Sequence, residues 1–334
     1  MNDRQILDDI VGIGTRSAPV SGPWRLTVWD SPSTGKLYVF SEEHANQGSC
    51  PQNRHFSSLA SEILHKTRGV HVLVENFIHA NDIRVPKAGI NTTISKACSP
   101  VNVGILNNLR DCLEVMKINS RFCPDGCEKR IHFIDPRVDM VSVLLDGKLF
   151  EAISHYTYHR ASQGAFDDAV LTVFESIIHP LSSLLPDRKN LMGRLVGVFD
   201  VFRNKMTPAQ RSTFDKIWVD DITGGIVHLN AKYIKLYATY SSSKRTTPVP
   251  PSLAEFSRDV EEIKQIYKRY TNKFMDIWLL AHVFMIQNTA GANGMVMYLG
   301  SLHGLQIEKH LARHGLRKIY HSESQNLNSC LHLN

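Results

Sequence analysis

The chain has 334 residues, of which 43% are hydrophobic and 21% charged. That mixture excludes a disordered chain, and the length supports a full apolar core without cross-links. The formal charge of +6 is spread along the sequence without long like-charge runs, so nothing singles out nucleic acid as a partner.

The first residues carry Asp3, Asp8 and Asp9 and do not read as a signal peptide. No stretch approaches the ~20 apolar residues of a membrane span, so no transmembrane segment is expected. A cytoplasmic or other intracellular location is the resulting expectation. The cysteines are Cys50, Cys98, Cys112, Cys123, Cys127 and Cys330, and without a secretion signal they are expected to be free thiols. Cys123 and Cys127 form a C-x3-C pair, but no second cysteine pair completes a zinc set.

In chain order, residues 24–29 (WRLTVW) and 36–40 (KLYVF) are β-rich runs around the turn cluster DSPSTG, which predicts a hairpin. Residues 56–67 have helical periodicity through Leu59, Ile63 and Leu64. Residues 70–74 (VHVLV) predict a buried strand, 76–99 an irregular stretch, 101–118 a helix and 131–134 (IHFI) a short strand. Helical patterns then dominate at 141–159, 165–185, 191–205, 208–219 and 253–287, with a proline-rich loop at 241–252. The β signal returns at 295–299 (MVMYL), followed by a helix at 305–314 and a last strand at 317–321. This alternation predicts an α/β fold: a mainly parallel central sheet with an N-terminal antiparallel hairpin and flanking helices. Residues 1–140 and 288–334 supply the two halves of that core, and 141–287 form a large helical insertion.

In open α/β sheets ligands bind beyond the carboxyl ends of the strands. Here KLYVF runs into Ser41-Glu42-Glu43-His44, VHVLV into Glu75-Asn76, IHFI into Asp135-Pro136-Arg137, and MVMYL into Gly300-Ser301-Leu302-His303-Gly304. Each piece alone reads as an ordinary cap or ion pair; the coincidence of four is the signal. Parallel strands would gather Glu42, His44, Glu75, Asp135, Arg137 and His303 on one edge as the candidate catalytic set. Carboxylates and imidazoles together can activate water by acid–base chemistry, or hold a divalent metal such as Mn, Co or Zn through His44, Glu42, Glu75 and His303. Gly300 and Gly304 would let backbone approach a ligand, and the helix after His303 would offer free N–H groups.

At these residues the chain resembles the superfamily of TIKI/TraB proteins, erythromycin esterases and ChaN-type haem-binding lipoproteins. The resemblance rests on the order of short motifs across residues 23–321: the hairpin, Ser41-Glu42-Glu43-His44, Val74-Glu75, Asp135-Pro136-Arg137, Gly300-Ser301-Leu302-His303, and Leu311-Ala312-Arg313-His314-Gly315. It implies a water-activating hydrolase, metal-dependent or metal-free, with His44 as base or metal ligand and Glu42 and Glu75 orienting water or metal. His303 would be the second imidazole, and Asp135 and Arg137 would hold the site or an anionic group of a small-molecule or peptide substrate. Ser41 departs from the glycine of that pattern, and Met275–His282 replaces a helix that often carries an arginine. Residues 276–303 also resemble uncharacterised proteins of large DNA viruses. That likeness implies a second function: a structural or interaction protein, such as a virion or minor capsid component, with protein partners met by Tyr156, Tyr158, Tyr233, Tyr237 and Tyr240 on the insertion. Haem or other small-ligand binding is the third.

Overall fold

The computed structural model describes residues 3–13, 20–43, 54–77, 105–118, 120–136, 199–223, 231, 253–324 and 331–333. The chain divides into two compact units: one made of residues 1–135, 205–213 and 278–334, the other of 136–204 and 214–277.

The first unit is a mixed sheet with helices on both faces. Helix α1 (Asp3–Val11) precedes a short strand β1 (Val20–Ser21), then β2 (Arg25–Ser31) and β3 (Gly35–Glu42). After β4 (Arg54–His55) and α2 (Phe56–Lys66) come β5 (Val70–Phe77), α3 (Ile105–Ile118), two 3-10 turns (Ser120–Phe122 and Pro124–Arg130) and β6 (Ile131–Asp135). The chain returns through β7 (Gly294–Gly300), α4 (Ser301–Arg313) and β8 (Arg317–Glu323). Six strands form one sheet in the order β6-β5-β7-β3-β2-β8, and β1 and β4 pair separately. The β6, β5, β7 and β3 neighbours are parallel, whereas β2 is antiparallel to both β3 and β8. The expected hairpin is therefore the antiparallel part of an otherwise parallel α/β sheet.

Period-two alternation sorts each strand onto two faces. Tyr38 and Phe40 of β3, Val72 and Val74 of β5, and Val296 and Tyr298 of β7 join one buried apolar cluster with residues of α1, α2 and α3. The intervening Leu37, Val39, Leu73, Met295, Met297 and Leu299 are equally buried on the other face. The C-terminal part of a long helix, α5 (Leu253–Gln287), lies on that side; its Gln287 Nε2 donates to Ser31 Oγ at 3.1 Å.

Several boundaries differ from the sequence reading. Strand β5 continues through Glu75 to Phe77, and α4 begins at Ser301, four residues before the periodicity suggests. The sequence reading assigns no element to the first residues, where the structure has α1 with Leu7, Ile10 and Val11 buried on one side. The predicted helix at 208–219 ends at Ile217 and passes into a π-helical turn, Trp218–Thr223. The helix of 253–287 is present over that span. The helices predicted at 141–159 and 165–185 lie outside the described residues, as do the five tyrosines of the insertion.

Cys123 and Cys127 are disulfide-bonded, with Cα atoms 5.1 Å apart, and Cys112 is disulfide-bonded as well. This corrects the free-thiol expectation: the 3-10 turn starting at Pro124 folds the C-x3-C segment back so that the two thiols meet. In the second unit Phe199 packs against Phe214, Trp218 and Phe274 with ring centroids 4.9–5.5 Å apart. Arg203 there pairs with Asp215 at 2.8 Å. Among the described residues no helix is long and apolar enough to cross a membrane.

Candidate functional site at the carboxyl edge of the sheet

Glu42 ends β3 on the same face as Tyr38 and Phe40, and register places it opposite Gly300 of β7. Its Oε2 accepts a hydrogen bond from the Tyr298 hydroxyl at 2.5 Å, and both residues are buried. That is the length of a charge-assisted O–H···O⁻ bond. Burial, the Glu42 charge and this hydrogen bond together push the Tyr298 phenol well above 10, so it remains a donor at neutral pH.

Glu75 approaches the same place from β5. The register between β5 and β6 slips between Val74 and Phe77, so the β5 segment holding Glu75 carries an extra residue. A bulge of this kind bends a strand and re-aims its side chains. Glu75 Oε2 accepts the Gly300 N–H at 2.7 Å, and its Oε1 lies 4.0 Å from His303 Nε2. Arg110 on α3 donates from Nε to the Glu75 carbonyl at 2.8 Å and from a second guanidinium nitrogen to the same oxygen. One turn along, Glu114 accepts from Asn76 Nδ2 at 2.8 Å. Helix α3 thus grips the end of β5 at two successive residues.

Strand β7 delivers the third component. Gly300 caps α4, so His303 stands in the first turn of that helix, buried, and not in a loop ahead of it. Ser301 Oγ donates to the Glu42 carbonyl at 2.8 Å and accepts from Trp24 Nε1 at 2.7 Å. A Cβ on Gly304 would stand 2.1 Å from Ser41 Oγ. The bare Cα at 304 therefore serves the seating of α4 on β3, where the sequence suggested approach to a ligand. Ser41 Oγ is buried without a hydrogen-bond partner.

The structure thus brings Glu42, Glu75 and His303 around the end of β7. Asp135 ends β6, buried, in register with Phe77. At ~4.8 Å per strand, the distance from β3 to β6 is about 14 Å, too far for Asp135 and Glu42 to share one water or ion. His44 and Arg137 lie outside the described residues. Tyr298, Ser301, Trp24 and Arg110 are the residues that sequence reasoning missed. Tyr298 offered one signal, a phenol two residues before the strand end that needs a partner when buried.

Chemically, the edge offers a carboxylate beside an imidazole, with a second carboxylate fixed by a phenol. Among the described residues no three groups stand where they could hold a metal ion. Glu42 Oε2 and Glu75 Oε2 each accept a hydrogen bond. No protein-family model, curated protein or solved structure matches the chain.

Proposed function

We propose that the chain is a hydrolase of the water-activating kind and that His303 and Glu75 are its working pair. The observation that carries this reading is the approach of His303 Nε2 to Glu75 Oε1 at 4.0 Å. Their neighbour Glu42 ends the strand beyond β7 in the same parallel run. In that role His303 takes a proton from the attacking water, and Glu75 offsets the charge that forms on the imidazole. The 4.0 Å separation exceeds a hydrogen bond, and such contacts tighten when a substrate is bound. Gly300 N–H and Arg110 keep Glu75 in place, and Tyr298 does the same for Glu42.

The test is a panel of aryl esters, lactones and short peptides, assayed with the wild type, His303→Ala and Glu75→Gln. Loss of about 10²–10⁴-fold in turnover in either variant, with unchanged circular dichroism, supports the reading. A turnover unaffected by both substitutions removes it.

A second reading, a scaffold that keeps the fold without the reaction and acts through protein partners, has one observation in its favour. Glu42, Glu75, Asp135 and His303 are each no more than 5% exposed, and such burial suits structural pairs as well as catalytic ones. A virion role belongs to this reading. It predicts no turnover on the panel and co-purification with a defined partner.

A further inference from the structure

Helix α4 has a sharply divided surface. Its buried side runs through His303, Ile307, His310 and Leu311 and also holds the one acidic residue of the helix, Glu308. Its outer side is Leu302, Leu305, Lys309, Ala312 and Arg313, with Gln306 half-buried among them. These positions follow the three- and four-residue spacing of a single stripe, about 16 Å long at the rise of a helix.

That composition departs from an ordinary solvent face. Leu302 is 73% exposed and Leu305 36%, and among the described residues Leu302 is the most exposed of the large apolar side chains. Helix α2 of the same unit shows solvent Ser58, His65 and Lys66, with no large apolar group. The leucines of α4 cannot turn inward. Ser301 Oγ is bonded to the Glu42 carbonyl and to Trp24, and Gly304 is seated against Ser41, so rotation of the helix would break its docking on β3.

The charge of the stripe is uncompensated. Glu308 is turned under the helix, where it accepts from Arg25 at 2.9 Å and pairs with Lys318 at 3.2 Å. Lys309 and Arg313 have no ion pair among the described residues. From 309 to 322 the sequence carries Lys309, Arg313, Arg317 and Lys318 and no Asp or Glu. Arg317 lies 3.9 Å from Asp30, and Lys318 is held by Glu308, so the cations that α4 itself offers are Lys309 and Arg313.

We propose that the outer stripe of α4 docks the protein reversibly on an anionic lipid surface. The two components of the stripe match the two layers of such a surface. Leu302 and Leu305 enter the boundary between headgroups and acyl chains, while the stems of Lys309 and Arg313 let their charged ends reach the lipid phosphates. A nucleic acid would meet the cations equally well, but leucines give its bases neither a hydrogen bond nor a stacking surface. Leucines at one end of the stripe and cations at the other seat the helix with its first turn deepest. That turn also carries His303, so docking sets the carboxylate edge beside the lipid boundary, and the docking itself does not depend on the reaction proposed above.

Sedimentation of the full chain with vesicles of phosphatidylcholine, with or without about 30% phosphatidylserine, tests the proposal. Binding is expected on the anionic vesicles alone, weaker than the ~10⁴ M⁻¹ of a single myristoyl chain and reduced by salt. Lys309→Glu/Arg313→Glu should lower the partition coefficient at least about 25-fold, at roughly fivefold for each cation lost. Leu302→Ser/Leu305→Ser should lower it about tenfold while keeping the salt dependence. Absence of binding to anionic vesicles, equal binding to neutral ones, or binding unchanged in either double variant overturns the proposal. Duplex DNA or single-stranded RNA that binds the wild type and the leucine variant alike, and is lost only from the Lys309/Arg313 variant, would assign the stripe to nucleic acid and overturns it too. All four positions are on the surface, so circular dichroism should be unchanged in both variants. If it is not, an environment-sensitive fluorophore on Leu302→Cys decides. A blue shift on anionic vesicles supports docking through α4, and no shift, or an equal shift from the same label on Ser58→Cys of α2, overturns it.

Discussion

Ser41 Oγ occupies the space that a side chain on residue 304 would need: the hydroxyl lies 2.1 Å from the position of a Cβ on Gly304, and the Ser41 Cβ 3.1 Å from it. The serine at the end of β3 and the glycine in α4 are therefore complementary. Ordinarily Gly→Ala within a helix gains up to ~1 kcal/mol. Here the clash reverses the sign, and Gly304→Ala should destabilise the protein by about 1–3 kcal/mol, the usual range for overpacking. Ser41→Gly combined with Gly304→Ala should recover most of that loss. Urea denaturation of the two single variants and the double variant measures the coupling, and strict additivity would show that the two residues do not meet.

The Tyr298–Glu42 bond makes a second prediction. Tyr298→Phe leaves a buried carboxylate without its donor, a change of about 2 kcal/mol or more for a charged group. Glu42→Gln keeps an acceptor for the phenol and should be milder. A double-mutant cycle should give an interaction energy within about 0.5–3 kcal/mol. A value near zero would mean that the phenol and the carboxylate stabilise the fold independently.

His71, His132 and His282, which touch one another at the amino ends of β5 and β6 and on α5, set a pH dependence of stability. Burial, with Arg130 nearby, lowers His71 to about 4; burial, offset in part by the Trp278 carbonyl, lowers His282 to about 4. His132 is held well below 6.5 by burial and by the fields of His71, His282 and Lys117. In the unfolded chain these groups titrate near 6.5. Between those values the unfolded state binds more protons, so stability rises with pH. The contribution is complete above about pH 6.5 and is lost as pH falls towards 4, by about 3 kcal/mol for His71 alone at ~1.4 kcal/mol per unit. Urea unfolding between pH 7 and 4.5 should show this slope, flattened in His71→Leu/His282→Leu. The same slope in both proteins would assign it to carboxylates instead.

The Cys123–Cys127 bridge closes a very short loop. Chain-entropy arguments give such a loop about 2 kcal/mol of stabilisation. Cys123→Ser/Cys127→Ser should lower the denaturation midpoint accordingly, and a reducing agent should bring the wild type towards the variant. No difference between the oxidised and reduced protein would leave the bridge without a stabilising role.

The strands of the core were legible because each is a compact apolar run, and their order followed from alternation with helices. Glu42, Glu75, Asp135 and His303 could be placed on one edge for the same reason: parallel strands point the same way. The pairings were not legible. That Tyr298 meets Glu42, or that Gly304 accommodates Ser41, depends on β7 lying beside β3, and nothing local encodes that neighbour. His71 and His132 each occupy the second position of a strand, a coincidence visible in VHVLV and IHFI. It gains meaning only when β5 and β6 prove adjacent and in register. The start of α4 was misplaced because Ser301, Leu302 and His303 read as a polar strand exit, and only the capping at Gly300 shows them to be helical.

The place of β7 has a consequence for how the molecule is made. Residues 294–300 pair with β5 on one side and β3 on the other, so two strands from the first quarter of the chain are joined through a segment near its end. A nascent chain can form the β2–β3 hairpin early, and β5 with β6, but these remain separate fragments with open edges until β7 arrives. Such non-local pairing is slow, and open edges invite association with other chains. The same late strand, with the helix α4 that follows it, brings Gly300, Ser301 and His303, so closure of the sheet and completion of the carboxylate edge are a single event.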